Sequence, residues 1–116
     1  MKKITLIGNP LSTQHLYFHR GHSVYMSREG KERKETYQWE MKSQYKGKPL
    51  QGAICVTVDL YFDSRRKHDV DNYNKLVLDA GSGILWDDDE QIWDLRIRKW
   101  YDKKQPRVEL TVETDD

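Results

Sequence analysis

The chain has 116 residues, enough to bury one hydrophobic core but not two, so we expect a single domain over residues 1–116. Charged residues make up 34% of the sequence, and no stretch approaches the roughly 20 apolar residues of a membrane span, which excludes a membrane-embedded protein. The apolar run near the N-terminus is too short for a signal sequence, so we expect a soluble intracellular protein. The single cysteine, Cys55, excludes a disulfide within the chain.

The net charge of +1 is the sum of two halves of opposite sign. Residues 1–58 contain ten Lys and Arg but four Asp and Glu, whereas residues 59–116 contain ten and fifteen. A basic region suggests a polyanionic partner, and an acidic region suggests a bound cation. The overall neutrality therefore does not exclude a nucleic acid as the partner.

The first half of the chain predicts a strand, a hairpin and a long helix. Ile4 and Leu6 alternate with a polar residue, as in a short strand. An Arg-Gly step at residues 20–21 separates two runs rich in aromatic and β-branched residues, which predicts a hairpin tip. Ser27 is a suitable N-cap for a helix that continues to about Tyr45, because apolar residues recur there at four-residue spacing.

The second half predicts three strands and a shorter helix. Apolar residues alternate without a break over residues 54–62, as in a strand with one buried face. Residues 72–80 predict a helix capped by Asp71 or Asn72. Two more strands, at residues 93–97 and 108–112, are joined by a short turn. This order favours an α+β domain, a mixed β-sheet with two helices packed on it, in which the last two strands are neighbours.

The tryptophans of this half have different expected positions. The alternation of apolar and polar residues assigns Trp93 to the core. Trp86 and Trp100 fall at predicted strand ends, where an exposed ring could stack on an unpaired base or pack against a neighbouring subunit. The sequence pattern leaves these two roles open.

Carboxylates are concentrated in two places that flank the second helix. Asp69 and Asp71 precede it with one residue between them, so in an extended chain both side chains project to the same side. The acidic run at residues 87–90 lies immediately before the next strand. If the helix packs back on the sheet, its start and the start of that strand can approach each other. Three or four carboxylates would then share one small volume.

Such a cluster needs a cation, because like charges at close range repel one another. Carboxylate oxygens select Mg²⁺ or Mn²⁺, which bind through a few carboxylates, water and substrate phosphate. Lys75 lies one helical turn after Asp71, so its ammonium group can reach the same site and stabilise negative charge on a phosphate. Acids, a metal ion and a lysine beside a basic run are the parts of a phosphodiester hydrolase.

Other interpretations compete with this one. Acidic residues before a helix also act as caps, and acidic loops are often only solvated, so the residues alone leave catalysis and charge balance open. His19 and His22 have the spacing of two zinc ligands, but no second pair of Cys or His accompanies them, and we expect no zinc site. No phosphate-binding loop or dinucleotide fingerprint occurs, so we expect no nucleotide cofactor.

Two linked segments resemble the RusA family of Holliday junction resolvases, small endodeoxyribonucleases common in phages and prophages. RRKHDVDNYNKLVLDA, residues 65–80, looks like the family's basic run followed by a DxDNxxK helix. GILWDDDEQIWDLRIRK, residues 83–99, looks like its GxxxDDxQ strand entry. A weaker resemblance extends over ITLIGNPLSTQHLYFHRGHSVYMS, residues 4–27, so the resemblance covers most of the chain.

The resemblance assigns roles to particular residues. It implies four catalytic residues, Asp69, Asp71, Lys75 and Asp89, of which the three aspartates would bind Mg²⁺, or Mn²⁺ in its place. Because the acidic pair of the motif lies within a longer acidic run, Asp88 could be the third metal ligand instead of Asp89. The expected DNA-binding surface consists of basic side chains: Arg20, Arg65, Arg66, Lys67, His68 and Lys75.

The resemblance further implies a homodimer that makes paired, symmetric nicks across a four-way DNA junction, in the cytoplasm of a bacterium or of a phage-infected host cell. A two-fold dimer matches the pseudo-two-fold symmetry of such a junction, whereas one small chain has too small a face to hold four duplex arms. Two alternatives remain open: a fork- or flap-cleaving nuclease with the same site, and a DNA-binding module without catalytic activity.

Overall fold

The strands and helices occur in the predicted order: strand, hairpin, helix, strand, helix, strand, strand. The computed structural model describes residues 2–14 and 16–114. No helix in this part of the chain is long and apolar enough to cross a membrane. The elements are β1 (Lys2–Ile7), β2 (Tyr17–Arg20), β3 (Ser23–Met26), α1 (Arg28–Gln44), β4 (Ile54–Phe62), α2 (Lys75–Gly81), β5 (Ile92–Tyr101) and β6 (Arg107–Thr114).

The four long strands form a mixed sheet in the order β1-β6-β4-β5, while β2 and β3 form the hairpin. β5 runs parallel to β4, and the other neighbours are antiparallel. The predicted α+β domain with a mixed sheet and two helices is confirmed. The prediction that the last two strands are neighbours is wrong, because β4 lies between them. Residues 102–106 pass over the end of β4, and a short connection suffices because skipping one strand requires a span of only about 10 Å.

One face of the sheet carries the core, which α1 and α2 cover. Alternate residues of β4 are buried on this face, as predicted for residues 54–62. Burial of each of the larger apolar side chains stabilises the fold by about 1.5–3 kcal/mol. The buried side chains of the sheet and the helices include Ile4, Leu6, Tyr37, Met41, Ile54, Val56, Val58, Leu60, Leu76, Val77, Val108, Leu110 and Val112.

Helix α1 begins as predicted, because the Ser27 hydroxyl oxygen accepts a hydrogen bond from the Gly30 N–H at 3.0 Å. Gly30 is buried in the first turn, where a Cβ atom would lie 2.8 Å from Cγ of Met26. A glycine at this position therefore allows the end of the hairpin to pack closely against the helix.

Trp93 is 78% exposed, so its assignment to the core is wrong. The reason is a β-bulge: Ile54 pairs with Ile92 and Cys55 with Asp94, which leaves Trp93 as an extra residue of β5. A bulge turns the side chain of its extra residue away from the regular alternation, and the apolar pattern carries no sign of it.

Trp86 is fully buried, so the expectation that it lies exposed at a strand end is also wrong. Its ring packs against Gly81, the last residue of α2, where a Cβ atom would lie 2.7 Å from the ring. The absence of a side chain on Gly81 thus makes room for the indole ring. Trp100 keeps the exposure expected of it, at 46%.

The two edges of the sheet differ in whether side chains cover them. At the β1 edge, Gln44 of α1 accepts a hydrogen bond from the Thr5 N–H and donates one to the Thr5 carbonyl oxygen, while Glu40 accepts from the Ile7 N–H. Side chains of α1 thus occupy groups that an edge strand otherwise exposes. Within residues 2–14 and 16–114, no side chain or second strand hydrogen-bonds the free edge of the ten-residue strand β5.

Candidate functional site

Helix α2 begins later than predicted, after a 3₁₀ turn at Val70–Asn72. The prediction that Asp71 or Asn72 caps the helix is wrong, because Asn74 precedes α2 and no side chain makes a capping hydrogen bond there. The side chains of Asp69 and Asp71 are exposed instead. Neither carboxylate makes a hydrogen bond or an ion pair with another described residue, so both are accessible to a ligand.

The acidic run before β5 ends in a second 3₁₀ turn, Asp89–Gln91. Asp88 caps this turn, because its Oδ1 accepts a hydrogen bond from a backbone N–H of the turn at 3.1 Å. Asp89 is held against the C-terminal end of α2: its Oδ1 accepts from the Ser82 hydroxyl at 2.6 Å and from the Trp86 indole N–H at 2.8 Å. The two neighbouring acids therefore have different surroundings.

Gln91 fixes the acidic run in place. Its side-chain oxygen accepts hydrogen bonds from the N–H groups of Asp87 and Asp88 at 2.7 and 2.8 Å. Its amide nitrogen donates to the carbonyl oxygens of Leu50 and Gly52 at 2.8 and 2.9 Å. Sequence reasoning gave this residue no role, although the motif GxxxDDxQ contains it, because a motif does not state which backbone groups its glutamine contacts.

Helix α2 separates the two acidic groups. It has seven residues and is about 10 Å long, with Asp69 and Asp71 before its start and Asp89 at its end. That the start of the helix and the start of the strand approach each other stays a prediction. Within residues 2–14 and 16–114, no three His, Cys, Asp or Glu side chains form a group that could hold a metal ion. The oxygens are donors of the type that Mg²⁺ prefers, but one chain does not assemble them into a three-ligand site.

Lys75 is the first residue of α2 and pairs with Asp79 rather than Asp71. Its Nζ is 3.5 Å from Oδ2 of Asp79, and the same oxygen accepts a hydrogen bond from the Tyr17 hydroxyl at 2.6 Å. The Lys75 ammonium also lies 4.8 Å from the centre of the Tyr17 ring. Sequence reasoning missed both neighbours. The i, i+4 spacing is a signal for the pair of Lys75 and Asp79, but no pattern brings Tyr17 from the hairpin.

The pKa of Tyr17 depends on the charges of Asp79 and Asp89. Burial raises the pKa of Tyr17 well above its usual range, and the hydrogen bond to Asp79 and the charges of Asp79 and Asp89 raise it further. The phenol is therefore protonated at neutral pH and acts as a hydrogen-bond donor. The contribution of Asp89 also means that its carboxylate lies within electrostatic range of Tyr17.

A groove of basic and aromatic side chains lies beside the first 3₁₀ turn. The Arg65 guanidinium is 4.4 Å from the centre of the Tyr101 ring, and the side chains of Arg66 and Lys67 are exposed. Cationic and aromatic side chains together suit a nucleic acid, because one binds phosphate and the other stacks on bases. The residues that line the groove are Phe62, Ser64, Arg65, Arg66, His68, Lys99, Trp100 and Tyr101.

The His68 ring is part of the packing at the base of this groove. It stacks on Phe62 with 3.8 Å between ring centres, and its Nδ1 lies 3.1 Å from the Tyr73 hydroxyl. Its Nε2 is buried without a hydrogen-bond partner among the described residues. The ring therefore fixes the chain immediately before Asp69, and a contact between His68 and DNA stays a prediction.

The hairpin carries the remaining predicted DNA-binding residue, Arg20, which is exposed next to the tip and opposite Ser23. Residues 16–28 contain no Asp or Glu, so the hairpin surface is basic. The hydrogen bond from Tyr17 to Asp79 connects the start of this hairpin to α2.

Acidic side chains without protein partners beside a basic groove are typical of nucleases. Residues 8–113 match the family model described as endodeoxyribonuclease RusA, so the chain belongs to this family. The chain is 28% identical over 104 residues to the crossover junction endodeoxyribonuclease RusA of Escherichia coli strain K12, a match that covers 89% of this chain and 87% of that protein. The protein of the same name from Enterobacteria phage 82 has the same identity and coverage. The uncharacterized protein YqaN of Bacillus subtilis strain 168 is 46% identical over 46 residues, which span 40% of this chain and 32% of YqaN.

Proposed function

We propose that this chain is a metal-dependent nuclease that resolves four-way DNA junctions by paired, symmetric nicks. Membership of the RusA family supports nuclease activity, and two relatives are named crossover junction endodeoxyribonucleases. The observation that carries the proposal is the arrangement around α2. Asp69 and Asp71 lie without protein partners in the segment before α2, Lys75 is its first residue, and Asp89 is held at its C-terminal end.

The proposed metal ion is Mg²⁺, for which Mn²⁺ would substitute, and Asp69, Asp71 and Asp89 would hold it. When bound, such an ion supplies an activated water molecule and neutralises charge on the leaving oxygen. Mg²⁺ commonly binds through one or two carboxylates together with water and substrate phosphate, so carboxylates that one chain leaves apart without DNA are compatible with this role. The Lys75 ammonium would stabilise negative charge that develops on the phosphate.

We favour Asp89 over Asp88 as the third ligand. Asp88 caps the second 3₁₀ turn, whereas Asp89 is held towards α2 by Ser82 and Trp86. Only one oxygen of Asp89 takes part in these hydrogen bonds, and the other has no partner among the described residues. That free oxygen is the atom we expect to bind the ion.

The proposed DNA-binding surface consists of the basic groove and the hairpin. Arg65, Arg66, Lys67 and Arg20 would contact phosphates, with His68 and Lys75 at the side of the surface nearest the acids. Such contacts are not base-specific and suit recognition of the shape of a branch point.

We also propose a homodimer in which β5 of one chain pairs with β5 of a second copy. The α1 side chains block the other edge of the sheet, whereas the β5 edge is open and carries Trp93 and Leu95, which are 78% and 40% exposed. If two β5 strands pair antiparallel with Leu95 at the centre, Asp94 of each copy lies opposite Arg96 of the other. The pair therefore occurs at two symmetric positions. Neither side chain has an ion-pair partner among the described residues, so the charges of this edge are complementary to themselves.

A cleavage assay on synthetic DNA tests the function. We expect the wild-type protein with Mg²⁺ to nick a four-way junction symmetrically and faster than a fork, a flap or a linear duplex, and EDTA to abolish the reaction. Asp89→Asn should abolish cleavage, whereas Asp88→Asn should retain it and only weaken the turn that Asp88 caps. Preferential cutting of forks or flaps would favour the branched-DNA nuclease. Binding without cleavage in any divalent ion would leave a non-catalytic DNA-binding module.

A further inference from the structure

A lysine that acts on a phosphate has to be held, because its four-carbon side chain is flexible and fixing it costs conformational entropy. The Lys75 side chain is 57% exposed, yet two neighbours contact its ammonium group. Asp79 Oδ2 lies 3.5 Å from Nζ, and the centre of the Tyr17 ring lies 4.8 Å from it. One neighbour belongs to α2 and the other to β2, so two separate parts of the fold hold the lysine.

Tyr17 and Asp79 also hold each other. The Tyr17 hydroxyl donates to Oδ2 of Asp79 at 2.6 Å, the oxygen that faces Lys75. The Asp79 side chain is only 26% exposed, which shelters both interactions from water. Because one carboxylate oxygen serves the tyrosine and the lysine, a change at Tyr17 alters the anchor of Lys75.

An ordinary helix ion pair in the same molecule lacks these features. Arg28 and Glu32 have the same i, i+4 spacing on α1, with Nε and Oε1 3.2 Å apart. Their side chains are 93% and 68% exposed, and no tertiary partner among the described residues joins the pair. Such surface pairs contribute little to stability. The sheltered Asp79 carboxylate and its hydrogen bond from Tyr17 therefore need an explanation other than helix stability.

We propose that Tyr17 and Asp79 are positioning residues for Lys75, which hold its ammonium in one orientation for the phosphate. The inference rests on the proposed nuclease function, because it assumes that Lys75 acts in the reaction. It also means that the hairpin, which carries Tyr17 and Arg20, and the lysine are positioned as one unit relative to the DNA.

A double-mutant cycle tests the proposal by single-turnover cleavage of a four-way junction at saturating protein. Tyr17→Phe keeps the ring but removes the hydrogen bond, and we expect roughly a tenfold loss of rate with unchanged junction affinity. Asp79→Asn should cause a loss at least as large. On a Lys75→Ala background neither substitution should lower the rate further, because both residues act through the lysine. Equal losses on both backgrounds would mean a merely structural role and would overturn the proposal.

Two matched controls accompany the cycle. Tyr45→Phe removes a hydroxyl that donates to the Lys48 carbonyl oxygen, and Glu32→Gln breaks the exposed pair with Arg28. Both should cleave at the wild-type rate. A loss of rate in either control equal to that of Tyr17→Phe would also contradict the positioning role.

A measurement without DNA separates this inference from the proposed function. In the wild type, the Tyr17 ring should shift the NMR signals of the Lys75 ε-methylene group away from those of exposed lysines. Asp79→Asn should move these signals towards the values of an exposed lysine such as Lys31. Failure of the wild type to cleave any branched DNA would refute the proposed function, whereas Lys75 signals that match Lys31 in the wild type would refute the positioning.

Discussion

The outer face of the sheet and the segment before α2 are both rich in charge, but they differ in how the charges are paired. On the sheet, each of several acids contacts a basic side chain at 2.7 to 2.9 Å, and buried Asp59 also accepts from the Trp100 indole N–H. In each of these pairs the positive and negative charges balance each other within the fold. They are Lys3–Glu109, Arg107–Glu109, Arg107–Asp102 and Arg98–Asp59.

In the segment immediately before α2, residues 65–71, the opposite holds. Asp69 and Asp71 have no ion pair or hydrogen bond with another described residue, and the same is true of Arg66, which lines the groove, and of the neighbouring Lys67. Charges of both signs lie close along the chain here, yet they do not pair. A buried charge that is paired within the fold contributes to stability. An exposed, unpaired charge is available to a metal ion, a phosphate or a second chain.

The largest expected effect contrasts one aspartate from each region. Asp71→Asn should lower the rate of junction cleavage by about a thousandfold or more while leaving the melting temperature unchanged, because the side chain has no partner in the fold. Asp59→Asn should lower the free energy of unfolding by about 1–3 kcal/mol, because it weakens charged hydrogen bonds, yet the folded variant should cleave normally. Cleavage rates and thermal unfolding curves of both variants test this. Destabilisation of Asp71→Asn to the level of Asp59→Asn would mean that the comparison does not hold.

Much of the fold was predictable from the sequence, because periodicity reports which face of an element is buried. The strand at residues 54–62 and the Ser27 cap are examples of such local signals. The neighbours of a strand are not local: a five-residue connection fits two adjacent strands as well as two that flank a third. The assignment of Trp93 to the core was wrong for a related reason. A bulge depends on the partner strand and leaves the alternation of the sequence intact.

The catalytic roles of the site residues stay predictions, and their contacts in the fold were only partly predictable. The motifs indicated which acids and which lysine to examine, since residue type and spacing are properties of the chain. The sequence did not indicate that Ser82 and Trp86 hold Asp89 at the C-terminal end of α2, because that depends on where the acidic run packs. Tyr17 was missed for the same reason: its partner Asp79 lies 62 residues further along the chain.

The second expected effect concerns the unpaired basic charges. Replacing Arg65, Arg66 and Lys67 together by Ala should weaken junction binding by about tenfold to a hundredfold at moderate salt. The slope of the logarithm of the binding constant against the logarithm of salt concentration should fall in magnitude by about 2–3. A variant that makes fewer phosphate contacts releases fewer counterions when it binds. Fluorescence anisotropy at several salt concentrations measures both quantities. A triple variant at Lys46, Lys103 and Lys104, exposed lysines outside the proposed surface, is the control and should keep the wild-type slope.

A smaller effect is expected for the unpaired charges on the β5 edge. Asp94→Arg or Arg96→Asp alone should weaken the dimer by about tenfold, because each puts like charges opposite each other at two symmetric positions. The double variant Asp94→Arg with Arg96→Asp should restore dimerisation. Sedimentation equilibrium measures the dissociation constants, and Glu35→Arg on α1 controls for the change in net charge. Failure of the double variant to recover, or a monomeric wild type, would contradict pairing through this edge.

The paired acids of the sheet also respond to pH in a defined direction. Burial raises the pKa of Asp59, but hydrogen bonds from Arg98 and Trp100 outweigh this and hold the pKa below its usual value. Burial likewise raises the pKa of Glu109, and hydrogen bonds from Arg107 and Lys3 outweigh it, again with a lowered pKa. In the unfolded chain these groups titrate near pH 4. The unfolded state therefore binds more protons than the folded state as the pH falls, and stability is lost below about pH 4.

The smallest effect follows from this linkage and separates the two regions once more. Between pH 6 and pH 3 we expect the wild-type melting temperature to fall by several degrees, because Asp59 and Glu109 lose their ionised, hydrogen-bonded state. Asp59→Asn should start from a lower melting temperature and fall less, since it has one fewer paired carboxylate to protonate. Asp71→Asn should follow the wild-type curve, because an exposed carboxylate without a partner in the fold does not stabilise the folded state. Circular dichroism melts at a series of pH values measure the three curves, and a flatter curve for Asp71→Asn would show that its charge takes part in folding after all.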